Sequence, residues 1–178
     1  KAPNGRKTPD VQKGPSMPDP ILPSRLPIAA APMAGGPTTT ALAAAVAAAG
    51  GFPFLAGGYK TPEALAQEIS VLRAAGLPFG VNLFVPAPET VDEAAFRIYA
   101  RALQPEADRY GLILSEHPVD DDDSWAQKLA LLIQYPVDVV SLTFALPAAS
   151  DIAALQAAGS KVLASVTTPA EARQAQAA

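Results

Sequence analysis

Two short stretches of the chain combine residue types that could hold a flat ligand beside a turn of the backbone. The first is Pro32–Gly36, PMAGG, which follows an apolar run. Gly35 and Gly36 have no Cβ, so the backbone can turn sharply there and a planar group can lie against it. The second is Asn82, a lone amide in the apolar segment FGVNLF. A buried amide needs partners, and the residues alone leave open a neighbouring loop or a ligand for Asn82, and core packing or a ligand for Met33.

Three other groups could do chemistry, but each has a simpler explanation. Gly57–Lys60, GGYK, could hold an anion, but we expect an ordinary turn with a solvated lysine. His117 is the only histidine and is expected to be a solvated loop residue, with a general-base role as the weaker alternative. Asp120–Asp123 precede Ser124 and are expected to cap the next helix, since the glycine and distal glutamate of a calcium loop are missing. We therefore expect no metal site, and no catalytic residue can be named.

Composition excludes several classes of protein. The 178 residues carry a net charge of −4, which gives no electrostatic footprint for DNA or RNA. No apolar run reaches the roughly 18 residues that a membrane span needs. The chain has no cysteine, which is compatible with a reducing compartment, and we expect it to be cytoplasmic. Residues 1–16 are polar, basic and rich in proline and glycine, and are predicted to be a leader or disordered extension ahead of a single domain over 17–178.

Short apolar runs alternate with helical segments along the rest of the chain. Helix signals include Thr39–Ala49, a Thr61-Pro62 start followed by an apolar face, and a second Thr-Pro start at Thr168. The face after Thr61 consists of Leu65, Ile69 and Leu72, and a further helix is predicted over Ala148–Ala158. Five strands are predicted at Ile28–Ala31, Phe52–Leu55, Phe79–Phe84, Val137–Phe144 and Lys161–Val166.

The long segment between the third and fourth strands contains two stretches of helical periodicity. The first places Val91, Ala94, Ala95, Ile98 and Ala102 on one apolar face, and the second places Trp125, Leu129 and Leu132 on another. The whole pattern is a β-α unit repeated five times, which predicts a parallel sheet with right-handed crossovers. It could be an open doubly wound sheet or part of a (β/α)8 barrel. A full barrel takes about 250 residues, so five strands fit and eight do not.

Several segments together resemble a known family. LPIAAAPMAGGPTTTALAAAV, GGFPFLAGGYKTPEAL, PFGVNLFVP, VVSLTF and AAGSKVLASVTTPAEA resemble, in order and spacing, the amino-terminal half of nitronate monooxygenases. The resemblance implies an α/β fold, a partial (β/α)8 TIM barrel with about five parallel β-α units. It also implies FMN as cofactor and oxidation of alkyl nitronates with dioxygen. Pro32, Met33 and Ala34 would then pass beside the isoalloxazine ring, and Asn82 would hydrogen-bond the flavin.

The family pattern continues beyond the last residue of this sequence. A histidine after strand six and glycine-rich turns after strands seven and eight have no counterpart here, so we expect the chain to be an incomplete form. Open sheet edges would then favour self-association. Two alternatives stay open: a flavin-dependent NAD(P)H:quinone or enoyl reductase on the same barrel, and a non-catalytic half-barrel.

Overall fold

The computed structural model describes residues 21–87 and 91–178; the predicted leader over 1–16 lies outside them. The described strands are β1 (Ala29–Ala30), β2 (Phe52–Ala56), β3 (Gly80–Phe84), β4 (Val139–Thr143) and β5 (Lys161–Ala164). The described helices are α1 (Thr40–Ala49), α2 (Pro62–Ala74), α3 (Glu93–Asp108), α4 (Trp125–Gln134), α5 (Ala149–Ala157) and α6 (Pro169–Ala177). Within the described ranges, no helix is both long and apolar enough to cross a bilayer.

The strands form one parallel sheet in the order β1-β2-β3-β4-β5. Each strand therefore pairs with the next one along the chain. A doubly wound sheet reverses direction at a switch point, whereas a barrel adds its strands in sequence. The order confirms the predicted α/β fold and favours the partial barrel over the doubly wound alternative.

The two faces of the sheet bury different residues. The face covered by helices packs strand residues such as Leu55, Val81 and Val140 against the α2 residues predicted to form its apolar face, Leu65, Ile69 and Leu72. Each fully buried leucine of this kind contributes about 1.5–3 kcal/mol. The opposite face carries a smaller cluster of Phe52, Phe54 and Val139. In a closed barrel this second face is the interior.

The helix starts predicted from threonine are confirmed. Thr39, Thr61 and Thr168 are the N-caps of α1, α2 and α6, and each side-chain oxygen accepts a backbone N–H of the first turn. Pro62 stands in the first turn of α2, where its missing N–H costs nothing. The sequence therefore placed the beginning of these helices to within one residue.

Strand β1 is shorter than the predicted Ile28–Ala31. It covers only Ala29–Ala30, and Ile28 is largely exposed. Pro32 lacks an N–H to continue the ladder, and no other described strand lies on the far side of β1. The ends of the other strands differ from their predicted bounds by at most two residues, as is usual for strand ends placed from a sequence pattern.

The predicted apolar face of α3 is wrong. Val91 and Ile98 are exposed, and the buried residues of this helix are Ala100 and Ala107. The segment that follows folds back on the helix instead: Gln104 bonds to backbone groups of residues 112 and 114. Periodicity detects an apolar stripe, but it does not say what covers that stripe. The second predicted face is confirmed, because Leu132 of α4 is buried and its neighbours on that face are partly buried in the core.

A reciprocal cap fixes the start of α6. Thr168 Oγ1 accepts the N–H of Glu171 at 3.2 Å, and a Glu171 carboxylate oxygen accepts the N–H of Thr167 at 2.7 Å. This is a capping box with the carboxylate bonded one residue earlier than usual. The hydrogen bond from the Thr167 N–H lowers the pKa of Glu171 below its ordinary value of 4.5, and the Thr167 hydroxyl adds to the effect.

We predict that this cap weakens in acid. The pKa of Glu171 is lower in the folded chain than in the unfolded one, so its stabilisation is complete above about pH 4.5 and is lost as the pH falls through the lowered value. NMR protection factors of the α6 amides, which are corrected for the intrinsic pH dependence of exchange, should fall as the pH is lowered from about 6 through that range. E171Q should remove most of this pH dependence, and an unchanged dependence in E171Q would contradict the assignment.

Candidate functional site

Asn82, the middle residue of β3, is fixed by two residues of β4. Its Nδ2 donates to Thr143 Oγ1 at 2.8 Å, to Ser141 Oγ at 2.9 Å and to the Ser141 carbonyl oxygen at 3.1 Å. Only 4% of the residue is exposed, and its Oδ1 makes no hydrogen bond within the described ranges. The β3–β4 register places Asn82 opposite Ser141. The side-chain amide of Asn82 is therefore held with its Nδ2 donor hydrogen-bonded and its Oδ1 acceptor unbonded.

The PMAGG turn lies at the same level of the sheet. Ala30 pairs with Pro53 of β2. Two residues further along each of these segments, Pro32 is level with Leu55, and Leu55 pairs with Val81 of β3. The turn is closed by Thr38, a buried residue whose Oγ1 accepts the N–H of Met33 at 2.8 Å. Met33 is 43% exposed, and Pro32 and Ala34 are half-buried.

The two glycines of the turn adopt the conformation that their residue type permits. Gly35 and Gly36 have φ values of 81° and 113°, in the region that L side chains rarely adopt. An added Cβ at either position would meet no atom within 4 Å. The backbone of the turn is thus left bare after the carboxyl end of β1, which pairs with β2.

A cavity of about 330 Å³ opens just beyond Asn82, and we call it the rim cavity. Its aromatic lining consists of Tyr59, Phe84 and Phe144, its carboxylates are Asp121–Asp123, and residues 85–87 complete it. The ring of Phe84 lies 5.3 Å from that of Tyr59 and 4.7 Å from that of Phe144, centroid to centroid. Gly58 is required beneath this cluster, because a Cβ there would lie 2.3 Å from the Phe84 ring.

The acidic run is tied to both neighbouring segments through Asp123. Its Oδ1 accepts the N–H of Tyr59 at 2.9 Å, and its Oδ2 lies 2.8 Å from Nζ of Lys128, a residue only 1% exposed. Neither Oδ2 nor Nζ has a hydrogen bond of good geometry among the described residues, so the attraction is mainly coulombic. The predicted carboxylate cap of α4 is not formed: Ser124 is its N-cap without a side-chain bond, and Asp122 Oδ1 accepts the N–H of Ser124 instead.

Lys60 and His117, the other residues considered from the sequence, do not contribute to this site. Lys60 forms an ion pair with Glu68 at 2.6 Å, so it is neither the solvated lysine nor the free anion ligand considered from the sequence. His117 is exposed in its loop, as expected. In the described part of the chain, no group of acidic or histidine side chains is arranged to hold a metal.

Lys128 is the residue that sequence reasoning missed. The signal was present, because Lys128 lies three residues after Trp125 and four before Leu132 and therefore shares their buried face. A lysine at such a position must find a counter-charge.

A larger cavity of about 510 Å³ lies between α2 and α4, on the helix-covered side of the sheet and away from Asn82.

We predict that D123N destabilises the fold by about 3 kcal/mol, because it leaves the Lys128 ammonium buried without a counter-charge. Urea unfolding of the full chain measures the change. D122N is the matched control: it removes the same charge from the neighbouring exposed residue and should stay within about 0.5 kcal/mol of the parent. Equal stabilities of D123N and D122N would show that the buried pair contributes nothing.

Comparison with known proteins identifies the family of this chain. The nitronate monooxygenase family model matches residues 21–178. A nitronate monooxygenase of Paraburkholderia phytofirmans is 36% identical over 89% of this chain and 44% of its own length. A probable nitronate monooxygenase of Bacillus subtilis is 34% identical over 82% of this chain and 42% of its own length. The chain thus spans less than half the length of the curated relatives it matches.

Solved structures agree with the sequence relatives. A nitroalkane oxidase from Streptomyces ansochromogenes superposes with a TM-score of 0.76 and 46% identity, over 86% of this chain and 44% of that one. A FabK variant from Thermotoga maritima has a TM-score of 0.59 and 26% identity, over 88% of this chain and 41% of that one. The parallel sheet, the PMAGG turn and the match over residues 21–178 lead to one conclusion: the chain belongs to the nitronate monooxygenase family.

Proposed function

We propose that this chain supplies the first five β-α units of a flavin enzyme that oxidises alkyl nitronates with dioxygen. The relatives reported above at 34–46% identity are named for nitronate or nitroalkane chemistry. The single observation that carries the proposal is Asn82, a buried amide that is bonded to Thr143 at the carboxyl end of β4 and whose acceptor is unpaired. Ligands of parallel α/β folds collect at that edge.

The residues present fit a flavin. Oδ1 of Asn82 can accept an N–H from the edge of a flat heterocycle, because Nδ2 is already held by Ser141 and Thr143. The turn at Pro32–Ala34 offers a bare backbone and the exposed Met33 side chain at the same level of the sheet. We propose FMN as the flavin, and when bound it supplies the oxidation–reduction chemistry, as cofactors do.

The contributions of the chain itself are binding and orientation. Asn82 would fix the ring in its plane, and Pro32, Met33 and Ala34 would lie beside it. The Thr38–Met33 hydrogen bond keeps the turn in one shape, which lowers the entropy lost on binding. We assign no catalytic acid or base among the described residues. We place the small nitronate substrate between the flavin ring and the rim cavity.

The proposed cytoplasmic location stays a prediction that rests on the lack of cysteine.

The first test is flavin binding by the full chain. FMN fluorescence titration should show saturable binding, and N82A should weaken it about tenfold, the worth of one good hydrogen bond to a buried group. S160A is the control: it removes a buried hydroxyl that donates to the Val137 carbonyl oxygen at 2.7 Å, before the start of β5. Equal FMN affinities of N82A and the parent chain would remove Asn82 from the site.

Turnover separates the remaining alternatives. Oxygen uptake with an alkyl nitronate and without a nicotinamide supports the proposal. Oxidation of NAD(P)H with a quinone or an enoyl substrate would favour a reductase instead. A chain that binds no FMN under any condition would favour the non-catalytic half-barrel. The names of the relatives favour the first of these outcomes.

We also propose that the described sheet associates with another chain through its edges. In the described residues β1 and β5 each have a neighbouring strand on one side alone. The N–H groups of Lys161 and Ser165 bond to carbonyl oxygens on the β4 side. Strand alternation then directs the N–H groups of Val162 and Ala164 toward the open edge, where they can pair with another strand.

We predict that the chain sediments as a dimer or larger species in analytical ultracentrifugation. A164P should reduce this association, because proline removes an outward donor without touching the bonds to β4. The circular dichroism spectrum of A164P should match the parent if the sheet is intact. A compact, stable parent monomer would contradict the proposal.

A further inference from the structure

The rim cavity is placed to receive the part of a substrate that does not react. We propose that it holds the substrate's tail, and that it selects apolar or positively charged tails over tails that end in a carboxylate. This inference rests on the proposed nitronate chemistry, because it assumes that the reacting end lies at Asn82. It concerns residues that the flavin proposal does not use.

Position along β3 is the first argument. Asn82 and Phe84 lie two residues apart on the same strand, and both point to the face opposite the helices. The distance along the strand is about 7 Å. A nitronate held beside Asn82 therefore reaches the rim cavity with a short carbon chain, and its tail meets the ring of Phe84 first.

The second argument is the exposed aromatic surface. Tyr59 and Phe144 are 75% and 71% exposed, although aromatic side chains gain most from burial. Both residues have left-handed backbones, with φ values of 60° and 81°, a conformation that is costly for non-glycine residues. Both rings pack against the ring of Phe84, and Gly58 leaves room for that ring because it has no Cβ. Together they form an apolar wall suited to a hydrocarbon chain or to a cation above a ring face.

The third argument is the charge of the opposite lining. Asp123 is neutralised by Lys128 at 2.8 Å. Asp121 and Asp122 have no cationic side chain within 4.0 Å among the residues that the structure describes, and both are exposed. Their Oδ1 atoms accept the N–H groups of Asp123 and Ser124 at 2.8 and 3.0 Å, which fixes both side chains on the lining. A carboxylate tail would meet two uncompensated negative charges, and an ammonium tail would be attracted by them.

A matched set of three probes tests this selection without turnover. Each probe carries a nitro group at one end of a four-carbon skeleton, and the other end is a methyl group, an ammonium or a carboxylate. Binding to the full chain is followed by the amide NMR signals of Tyr59, Phe84 and Phe144. We expect the carboxylate probe to bind about tenfold more weakly than the methyl probe, and the ammonium probe to bind at least as tightly as the methyl probe.

Charge variants assign the effect to the lining. The double variant D121N/D122N should reduce the tenfold difference to about twofold, since each carboxylate contributes part of the repulsion. E106Q is the matched control, because Glu106 pairs with Arg109 on α3 outside the rim cavity and its removal should leave the difference unchanged. F144A should weaken all three probes together, which separates the apolar wall from the charges.

The outcomes separate this inference from the proposed function. No saturable shift of the three amide signals, or equal affinity for the methyl and carboxylate probes, would overturn it, even if FMN binds and nitronates are oxidised. A graded affinity that D121N/D122N abolishes would support it, even if the chain binds no FMN. In that case the proposed flavin chemistry would fail while the selective cavity remained.

Discussion

The register between β3 and β4 is the constraint on which the candidate site depends. It sets Asn82 opposite Ser141 and Phe84 opposite Thr143, so that one amide nitrogen reaches two hydroxyls and a carbonyl oxygen. Side chains in a strand alternate between faces, so a slip by one residue would move Asn82 into the helix-covered core. There it would replace an apolar residue and lack its partners. Burial of Val81 and Leu83 on that face therefore secures the orientation of the amide between them.

The same alternation separates stability from binding. The helix-covered face is continuous and apolar, and it contains most of the buried hydrophobic residues of the described chain. The other face holds a small apolar cluster of Phe52, Phe54 and Val139 near the start of the strands, and the polar residues Asn82, Ser141 and Thr143 further along them. Closure of a barrel would complete this second face. The described sheet thus has a complete apolar core on its helix-covered face. Its opposite face is suited to contact further strands or a ligand.

The loops at the carboxyl ends are held together by Asp123 and by the packed rings of Tyr59, Phe84 and Phe144. Asp123 connects the loop after β2 to α4, because it accepts the Tyr59 N–H and pairs with the buried Lys128. Three of the four non-glycine residues with positive φ in the described ranges, Tyr59, Asp123 and Phe144, line the rim cavity, and the fourth is Ser124 beside them. Strain of this kind persists where the surroundings over-determine the backbone. Here the surroundings are the buried Asp123–Lys128 ion pair and the edge-to-face and tilted ring contacts of Phe84.

The sequence by itself determined the units of this protein. The threonine caps at Thr61 and Thr168, the apolar face of α2 and the five apolar runs depend on neighbours within about seven residues, so local pattern was enough to find them. The amide in β3 and the PMAGG turn were visible for the same reason. Only the tertiary structure decided how these units meet. The bond between Tyr59 and Asp123 joins residues 64 positions apart, and the rim cavity brings together four segments of the chain that lie between residues 59 and 144. Local sequence fixes which face of an element is apolar, whereas the partner of that face, and of any buried charge, is set by packing across the chain.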